Sequence, residues 1–394
     1  MRLYIDFTGG ALGNKKTKYH GGGDFSRFIT WKISEYIEDK KKNVQIVVIW
    51  PEKIEDDSLT DEEKLLRSTF NYIDIDNIAD IKFAEDDLLF FPLLDVFSVS
   101  NIGRVRKNNE KLRIYGVLHG VRLLDSCKYD KYDKFYYSGI KSINCVLWSR
   151  RWCAGIIGRL KLKKYIPKAD RVYTVSNNSM QRINQISKPK YIKFFTRNIS
   201  DQFTQVPEYK KIEKVEHYIL FVSSNRYEKN FIRSLIAFCR YQEKNNTELK
   251  LRVIGMSDEL KKNLKKIKEL NWDVINKKVI FESYVSDARL RVFYENCDFL
   301  LYTTKSEGYG LPPLEAMNAG RPTVASSTTS VPEVLGMGAY YVNPYSISDI
   351  ISGIEFMQEE RNQIQYVKRL SLLKDAIINR GDNDVHQLIE EIFE

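Results

Sequence analysis

The feature that most constrains the fold is a repeated alternation of short apolar runs with amphipathic helical segments. The opening MRLYIDFTGG is typical of a strand that enters a glycine turn. Residues 20–42 are typical of a glycine loop followed by an amphipathic helix, and VQIVVIW is typical of a buried strand. This order is a β-α-β unit, which makes the two strands parallel. The runs DLLFFPLL, LRIYGVLHGV and RVYTV continue the alternation. The first half is therefore predicted to be a doubly wound parallel sheet.

A second set of the same alternation follows an interruption. Around residues 200–215 the chain loses its apolar periodicity, which is typical of a linker. After it, YILFVSS, LKLRVIG, KVIFESYV, CDFLLYT and RPTVASS supply further strand-like runs. A chain of 394 residues exceeds a comfortable single domain. We predict an α/β protein with two similar parallel-sheet domains facing each other across a cleft, at 1–205 and 206–380. A C-terminal helix at 381–394 could pack back on the first domain.

Composition and cysteine usage narrow the class of protein. The hydrophobic content of 43% is enough to bury sizeable cores. The five cysteines are odd in number and form no C-x-x-C pair, which fits reduced thiols in a cytosolic protein better than a disulfide framework or a zinc site. No run approaches the ~20 apolar residues of a membrane span, and the N-terminus lacks the pattern of a signal peptide. We expect a cytoplasmic protein, with a peripheral position at the inner face of the membrane left open.

The net charge of +10 is concentrated in one region. Residues 122–168 carry twelve Lys or Arg against three Asp. Within residues 141–168, apolar and basic side chains alternate: Trp148, Trp152, Ile156, Ile157 and Leu160 with Arg150, Arg151, Arg159, Lys161, Lys163 and Lys164. This pattern predicts a basic amphipathic helix that could lie on an anionic membrane surface. A helix whose apolar face packs into its own domain fits as well, whereas nucleic acid is disfavoured because no binding motif accompanies the patch.

The stretch KSEGYGLPPLEAMNAGRP, residues 305–322, is the strongest local indication of function. Glycines cost entropy in regular structure and prolines remove hydrogen-bond donors, so Gly308, Gly310, Pro312 and Pro313 require a turn. The apolar run CDFLLYTT precedes them and a helix-forming run follows, which predicts a strand, a glycine loop and a helix. The free N–H groups at the start of that helix would suit an anion such as phosphate.

Two carboxylates, Glu307 and Glu315, bracket this loop. Beside an anion site, a carboxylate repels the anion unless it binds a neutral part of the same ligand, such as sugar hydroxyls. Two carboxylates therefore suggest two sugars. Simpler explanations remain open, because the helix dipole alone favours a glutamate in the first helical turn, where Glu315 is predicted. Glu307 could be a solvated loop charge.

Several stretches together resemble the retaining GT-B glycosyltransferases of family four (group 1). They are FVSSNRYEKNFIRSLIAF, the run from VIFESYV to VPEVLG, and the HG pair at 119. The resemblance covers nearly the whole second domain and scattered points of the first. Its specific core is the pair Glu307 and Glu315, separated by seven residues and followed by Gly320 and Pro322. The resemblance implies the GT-B fold, with two Rossmann-like domains.

The resemblance also implies roles in binding a nucleotide-sugar donor. Glu307 would lie against the donor sugar, and Glu315 would bind the ribose hydroxyls. Lys229 aligns with a lysine that binds the diphosphate. Ser224 stands where many members have an arginine, so Arg226 is predicted to be a displaced substitute.

Further donor contacts follow from the same resemblance. His119 matches a histidine near the donor, which together with Glu307 and Lys229 forms the predicted catalytic set. Gly22 and Gly23 match a glycine loop that approaches the donor phosphates and the acceptor. The remaining predicted donor-binding residues form the loop itself: Gly308, Tyr309, Gly310 and Leu311.

These roles agree with the chemistry of sugar transfer. Departure of the leaving group builds negative charge on the diphosphate, and each fixed donor aimed at such charge is worth roughly 10²- to 10³-fold in rate. Lys229, Arg226 and the amides of residues 308–311 could supply these donors without a metal ion. The cationic sugar left behind needs a nearby carboxylate, for which Glu307 is the candidate.

Structural explanations remain open for some of these residues. His119 could be a strand-end histidine bonded to backbone. Lys229 and Arg226 could be an exposed pair of little energetic weight. The SNNS turn at 176–179 is predicted to be only a helix N-cap.

Other reactions fit the sequence less well. The DID triplet at 74–76 has the letters of a D-x-D metal site but lies in an acidic stretch that is predicted to be solvated. GYGLPP has a proline where a dinucleotide motif needs its third glycine, and GGALGNKK has the wrong glycine spacing for a P-loop. A sugar-nucleotide epimerase of the same architecture and a non-catalytic partner subunit remain alternatives.

The expected function is that of a hexosyltransferase-like, retaining α-glycosyltransferase. It would move a sugar from a nucleoside-diphosphate sugar to a saccharide or lipid-linked acceptor, in the synthesis of a surface polysaccharide or glycoconjugate. No cofactor and no metal ion are expected.

Overall fold

The computed structural model describes residues 1–8, 21–54, 59–125, 130–138, 143–196 and 216–394. The linker predicted around 200–215 and the boundary predicted at 205 lie outside the described residues. The chain divides into two compact units. Unit 1 consists of residues 1–124, 154–197 and 383–394, and unit 2 of residues 125–153 and 198–382. The sequence-based division had placed residues 125–153 in the first domain, whereas the structure groups them with unit 2.

The described residues of unit 1 contain a seven-stranded parallel sheet. Its strands are β1 (Arg2–Asp6), β2 (Gln45–Pro51), β3 (Asn71–Ile75), β4 (Leu88–Leu94), β5 (Arg113–Leu118), β6 (Arg171–Thr174) and β7 (Ile192–Phe194). Their spatial order is β3-β2-β1-β4-β5-β6-β7, and every neighbouring pair is parallel. The direction of winding reverses between β1 and β4, which is the topological switch point of the sheet.

Unit 2 repeats this plan in a six-stranded parallel sheet, counted over the residues that the structure describes. Its strands are β8 (Tyr218–Phe221), β9 (Lys250–Ile254), β10 (Val279–Glu282), β11 (Phe299–Tyr302), β12 (Thr323–Ser326) and β13 (Ala339–Val342). The order is β10-β9-β8-β11-β12-β13, again with parallel neighbours throughout. The switch point lies between β8 and β11.

Helices connect the strands in both units. They are α1 (Gly21–Asp39), α2 (Asp61–Thr69), α3 (Ser100–Asn108), α4 (Arg122–Asp125), α5 (Asn144–Tyr165), α6 (Asn177–Ser187), α7 (Phe231–Asn245), α8 (Asp258–Leu264), α9 (Trp272–Lys278), α10 (Asp287–Asn296), α11 (Leu311–Asn318), α12 (Val331–Leu335), α13 (Ile347–Gln358) and α14 (Glu360–Ile392). None of the helices within the described ranges is long and apolar enough to cross a membrane. The boundary between the units falls within α5 and within α14.

The apolar strand runs form because each sheet is covered on both faces. Parallel strands with helices on both sides read as nearly continuous hydrophobic runs, as in β2, where Ile46 to Trp50 are all buried. In unit 2, the two switch-point strands contribute Ile219, Phe221, Phe299 and Leu301 to one buried cluster. The predicted doubly wound α/β fold is thereby confirmed.

The structure confirms two local predictions and corrects one. Asp74 and Asp76 of the DID triplet are exposed, as predicted for a solvated stretch; Asp74 lies in strand β3 and forms an ion pair with Arg67. The glycines at 22 and 23 lie in the first turn of α1 rather than in a loop. Ser176 is the N-cap of α6 and accepts a hydrogen bond from the backbone of Ser179, as the SNNS turn predicted.

Helix α5 differs from the predicted basic amphipathic helix at one position. Arg151 is buried and forms an ion pair with Asp133 instead of lying on an exposed basic face. The apolar residues of the pattern remain exposed, between 38% and 61%: Trp148, Trp152, Ile156, Ile157 and Leu160. The alternative in which they pack into the protein is therefore wrong.

Candidate active site

The candidate site lies at the switch point of the sheet in unit 2. β8 and β11 are neighbours, so their carboxyl ends are adjacent. Residues 222–229 leave β8 and residues 303–310 leave β11. In open α/β sheets, ligands bind outside the carboxyl ends of the strands at this point. The two loops are therefore placed where a ligand site is expected.

A buried ion pair joins the two loops. Lys229 ends a short 3₁₀ turn, Tyr227–Lys229, and its Nζ lies 2.5 Å from Oε1 of Glu307. The side chains are only 5% and 8% exposed, respectively. Lys229 therefore is not the exposed loop cation that its simplest structural explanation required.

The pair is set in a shell of hydroxyl groups. Lys229 Nζ donates to the hydroxyl of Tyr302, 3.0 Å away, and Thr304 Oγ1 donates to Glu307 Oε1 over 3.1 Å. Burial lowers the pKa of Lys229, while the Glu307 carboxylate opposes this shift. Burial, with a further contribution from Glu307, raises the pKa of Tyr302 well above its usual range, so its hydroxyl stays neutral.

Hydrogen bonds to backbone groups join the two loops beside Lys229 and Glu307. The amide of Lys305 donates to the carbonyl of Glu228 over 2.7 Å, and Thr304 Oγ1 lies 3.0 Å from the same carbonyl oxygen. The amide of Glu307 donates to Thr329 Oγ1, 3.2 Å away, and Ser330 Oγ donates to the carbonyl of Tyr309 over 2.9 Å. The loop after β11 is therefore fixed on both sides.

Unusual backbone conformations surround this site. Ser223, Asn230 and Thr329 have φ values of 59°, 64° and 58°, in the left-handed region that residues with a side chain rarely adopt. Ser223 and Thr329 lie in the loops that follow β8 and β12, and Asn230 follows the 3₁₀ turn that Lys229 ends. Such strain persists only where the surroundings over-determine the backbone, and it is concentrated at functional sites.

The glycine loop leads into helix α11 as predicted. Gly310 is the N-cap with φ at +112°, and Pro312 and Pro313 occupy the first turn of Leu311–Asn318. Proline suits this place because its missing N–H has no partner in a first helical turn. Gly308, Tyr309 and Gly310 are buried. The anion site predicted from the sequence would use the amides of residues 308–311, because Pro312 and Pro313 have no N–H.

Glu315 lies one turn later than expected. It is the fifth residue of α11, and the first turn holds no acidic residue. The helix dipole acts within the first turn only, so it does not account for Glu315. On α10, Tyr294 is fully buried, and its pKa is raised by burial first and by the Glu315 carboxylate second. Glu315 therefore belongs to the buried surroundings of the site.

The loop after β8 contributes a hydroxyl and a second cation. Ser224 is fully buried, and its Oγ has no hydrogen-bond partner in the part of the chain that the structure describes. Such a group is costly unless a ligand or water satisfies it. Arg226 is 42% exposed and is held by Glu228, with Nη2 at 2.5 Å and Nε at 2.9 Å from Oε1. An anion could exchange with that carboxylate.

The remaining predicted residues meet in unit 1. His119 follows β5, and its Nε2 lies 3.0 Å from the carbonyl oxygen of Pro92, so the ring donates to backbone there if that nitrogen carries the proton. The ring centroid of His119 lies 4.9 Å from that of Phe25. Phe25 belongs to the start of α1, two residues after Gly23. The structure therefore brings His119 and the glycines of α1 to one region of this unit.

A comparison with known families addresses the identity of this site. Residues 203–371 match the family model described as glycosyl transferases group 1, a stretch that contains both loops and the pair Lys229 and Glu307. This stretch of the chain is similar to the group 1 glycosyl transferases. The resemblance seen in the motifs is thereby confirmed.

Parts of the chain are similar in sequence to two named mannosyltransferases. It is 31% identical to the serotype-specific mannosyltransferase WbdA of Escherichia coli over 120 residues, which cover 30% of this chain and 15% of WbdA. It is 26% identical to the O-antigen chain mannosyltransferase RfbU of Salmonella typhimurium over 223 residues, 56% of each chain. The chain thus spans at most about half the length of these relatives.

Solved structures share the architecture of this chain. Sucrose-phosphate synthase from Thermosynechococcus elongatus superposes with a TM-score of 0.66 at 15% identity, over 100% of this chain and 99% of that chain. A glycosyltransferase from Rickettsia africae gives 0.65 at 12% identity, over 100% and 98%. Identities at this level show the fold alone, which is the GT-B architecture.

The polar groups around Lys229 and Glu307 were not predicted from the sequence. Tyr302, Thr304, Thr329 and Ser330 all contact Lys229, Glu307 or their loop, yet none was predicted. The first two directly precede the glycine motif at the end of β11, and this position was the available signal. The other two come from the loop after β12, which no motif marked.

Proposed function

We propose that this chain is a retaining α-glycosyltransferase. It transfers one sugar from a nucleoside-diphosphate sugar to a saccharide or lipid-linked acceptor, in the synthesis of a surface polysaccharide or glycoconjugate. The observation that carries this proposal is the buried pair Lys229 and Glu307 at the switch point of unit 2. A cation and a carboxylate held in contact suit a ligand that develops both charges as it reacts.

The reaction breaks the bond between the anomeric carbon and the diphosphate oxygen, and the leaving diphosphate takes the electron pair. Lys229, Arg226 and the amides of residues 308–311 stabilise the charge that develops on it. Glu307 stabilises the positive charge on the sugar. The acceptor hydroxyl forms the new bond on the face that the diphosphate leaves, and its proton passes to the departing phosphate. These cations supply the required charge without a metal ion.

Glu315 and Ser224 complete the donor site. Glu315 accepts hydrogen bonds from the ribose hydroxyls, and the unpartnered hydroxyl of Ser224 donates to a phosphate oxygen. The resemblance also assigns His119 to the catalytic set, near the donor, and Gly22 and Gly23 to the approach of the donor phosphates and the acceptor. Relatives named as serotype-specific and O-antigen chain mannosyltransferases support mannose as the donor sugar to test before others.

Helix α5 supports a peripheral position at an anionic membrane. Its exposed residues Trp148, Trp152, Ile156 and Leu160 recur every four positions and so follow one face. Exposed basic side chains lie among and beside them: Arg150, Arg159, Lys163 and Lys164. Aromatic and aliphatic residues interleaved with cations are typical of helices that lie in the membrane interface. A lipid-linked acceptor would be presented at such a surface.

The transfer assay tests the function directly. The purified chain is incubated with a panel of nucleoside-diphosphate sugars, with and without saccharide or lipid-linked acceptors, and the anomeric configuration of the product is read by NMR. We expect an acceptor-dependent product with the configuration of the donor. Conversion of the donor without any acceptor would show an isomerase instead.

A matched pair of variants assigns the reaction to the site. Glu307→Gln keeps the shape and the contact with Lys229 but removes the negative charge, so kcat should fall by at least ~10²-fold. Glu259→Gln, on the exposed surface of α8, should leave kcat unchanged. Full turnover by the folded Glu307→Gln protein would contradict the proposed role.

A further inference from the structure

A buried carboxylate lies behind the candidate site in unit 2. Asp133, whose side chain is 2% exposed, comes from the segment 125–153 that joins this unit. Its Oδ2 lies 2.5 Å from Nη1 of Arg151, and its Oδ1 lies 2.5 Å from Nζ of Lys305. Both oxygens of one buried aspartate thus bind a cation, and these two cations lead to the two loops of the site.

The first cation contacts the loop that carries Lys229. The guanidinium carbon of Arg151 lies 3.9 Å from the ring centroid of Tyr227, the first residue of the 3₁₀ turn that Lys229 ends. A planar guanidinium at this distance stacks on the ring and is attracted by its π-system. The position of Arg151 therefore constrains the turn that delivers Lys229.

The second cation belongs to the loop that carries Glu307. Lys305 precedes Glu307 by two residues, and its amide donates to Glu228, in the turn of Lys229. Its Nζ also lies 3.7 Å from Oδ2 of Asp130, which forms an ion pair with Arg233 at the start of α7. The loop after β11 is therefore held by its side chains as well as by its backbone.

Residues 130–138, which include Asp133, pack against the hydrophobic core of unit 2. Tyr132 belongs to the buried hydrophobic cluster of unit 2, and Phe135 and Tyr136 pack against it. The hydroxyl of Tyr136 accepts a hydrogen bond from the amide of Ile232, in the first turn of α7, over 3.3 Å. The neighbours of Asp133 in sequence therefore pack against the same core as strands β8 and β11, and this packing fixes the position of Asp133 relative to both loops.

We propose that Asp133 is a positioning residue for the reaction. Through Arg151 and Lys305, Asp133 fixes the backbone of the turn of Lys229 relative to the backbone of the Glu307 loop. The side chains of Lys229 and Glu307 can then separate to admit a donor while their backbones stay aligned. This inference rests on the proposed function. Misplacement of reacting groups by about 1 Å can cost ~10²-fold in rate, whereas ground-state binding of the diphosphate depends less on that alignment.

The test is Asp133→Asn in the full chain. The amide keeps the shape of the carboxylate but cannot neutralise two cations. We expect kcat to fall by roughly 10- to 100-fold while KM for the donor changes by less than about threefold. Lys305→Met, which removes only the link to the Glu307 loop, should lower kcat in the same direction. The double variant should lose less than the product of the two single effects, because both act through one contact.

A second buried aspartate provides the control. Asp298 lies at the amino end of β11, opposite to the site, and its side chain is 8% exposed and contacts His217. Asp298→Asn should lower the thermal midpoint without a selective loss of kcat. An Asp133→Asn protein that is folded and retains wild-type kcat overturns the proposal, as does a loss of stability with unchanged kcat, like that of the control.

The remaining outcomes are also decisive. If Asp133→Asn does not fold, Lys305→Met decides, and wild-type kcat in that folded variant overturns the positioning role. If the wild-type chain neither transfers sugar nor binds a nucleoside diphosphate in calorimetry, the proposed function itself fails. Wild-type transfer together with unaffected variants rejects only the role of Asp133.

Discussion

At the scale of single residues, the site is a balance of buried charge. Lys229 and Glu307 neutralise each other, and Arg226 is held by Glu228. Breaking a buried pair from one side leaves an uncompensated charge, which costs about 3–5 kcal/mol. Under the proposed function, a diphosphate that enters next to Lys229 would offer it a replacement partner. The same event would free Glu307 to face the sugar, so that ligand binding and preparation of the carboxylate would be one step.

Gly310 is the residue whose backbone most directly limits substitution. Its φ of +112° is rarely adopted by residues with a side chain, yet an added Cβ would meet its nearest atoms, on Tyr302, at 3.8 Å, which is ordinary contact. The cost of Gly310→Ala should therefore come from backbone strain alone and lower the free energy of unfolding by about 1–3 kcal/mol. Denaturant unfolding measures it.

Gly308→Ala in the same loop is the control for this prediction. Gly308 is not among the glycines with positive φ in the described part of the chain. Its substitution should cost less than that of Gly310. Equal losses in the two variants would show that space in the loop, and not the conformation of Gly310, limits substitution.

At the scale of elements, sequence periodicity predicted most strands because parallel strands buried on both faces form continuous apolar runs. β3, β7 and β13 were missed. β3 is largely exposed, with polar residues at Asn71 and Asp74, and β7 has only three residues, one of them a lysine, so neither shows such a run. β13 is a short apolar run that was overlooked, and β10 was predicted although its four residues are all half-buried, so burial alone does not separate the predicted strands from the missed ones.

The site was predictable only where it is local in sequence. The loop between Glu307 and Glu315 combines glycines, prolines and carboxylates within one short stretch. Asp133 instead meets Arg151 across 18 positions and Lys305 across 172. Contacts between residues distant in sequence decide which core an amphipathic segment packs against. The placement of residues 125–153 in unit 2 therefore could not be derived from composition or spacing.

Helix α5 yields a prediction at this scale. The chain should sediment with vesicles that contain anionic phosphatidylglycerol, and added salt should reverse binding because surface charges are screened. Each basic residue near such a surface is worth about 1 kcal/mol, so Arg159→Glu with Lys163→Glu should weaken binding by at least ~30-fold. Trp148→Ala with Trp152→Ala should also weaken it, since these rings are exposed and stacked.

Two controls define this experiment. Tyr284, which is 60% exposed outside α5, should be replaceable by Ala without any effect on sedimentation. Vesicles of neutral phosphatidylcholine alone should bind less of the wild-type chain. Equal binding of the wild type and of both double variants would remove α5 as the membrane surface.

At the scale of the whole molecule, the two units share a strand order but not a charge pattern. Both sheets are wound from a switch point, β1 with β4 and β8 with β11. In unit 2, the buried pair of Lys229 and Glu307 joins the loops that follow the switch-point strands. In unit 1, the buried pair of Arg27 and Glu63 joins helices α1 and α2 instead, and His119 lies after β5. The proposed function assigns the diphosphate to the loops of unit 2.

This division predicts that a nucleoside diphosphate alone stabilises the chain, without sugar, acceptor or metal ion. At 100 times its dissociation constant, a ligand that binds only the folded state adds ~2.7 kcal/mol, which is readable as a rise in the thermal midpoint. Lys229→Met should abolish most of the shift, because the diphosphate loses its buried cation, whereas Lys262→Met on the exposed surface of α8 should retain it. Excess chelator should change neither the shift nor the turnover, because under the proposed function Lys229 and Arg226 would provide the charge that a metal ion would otherwise supply. A shift that requires a divalent cation, or that survives in Lys229→Met, would contradict this account of the site.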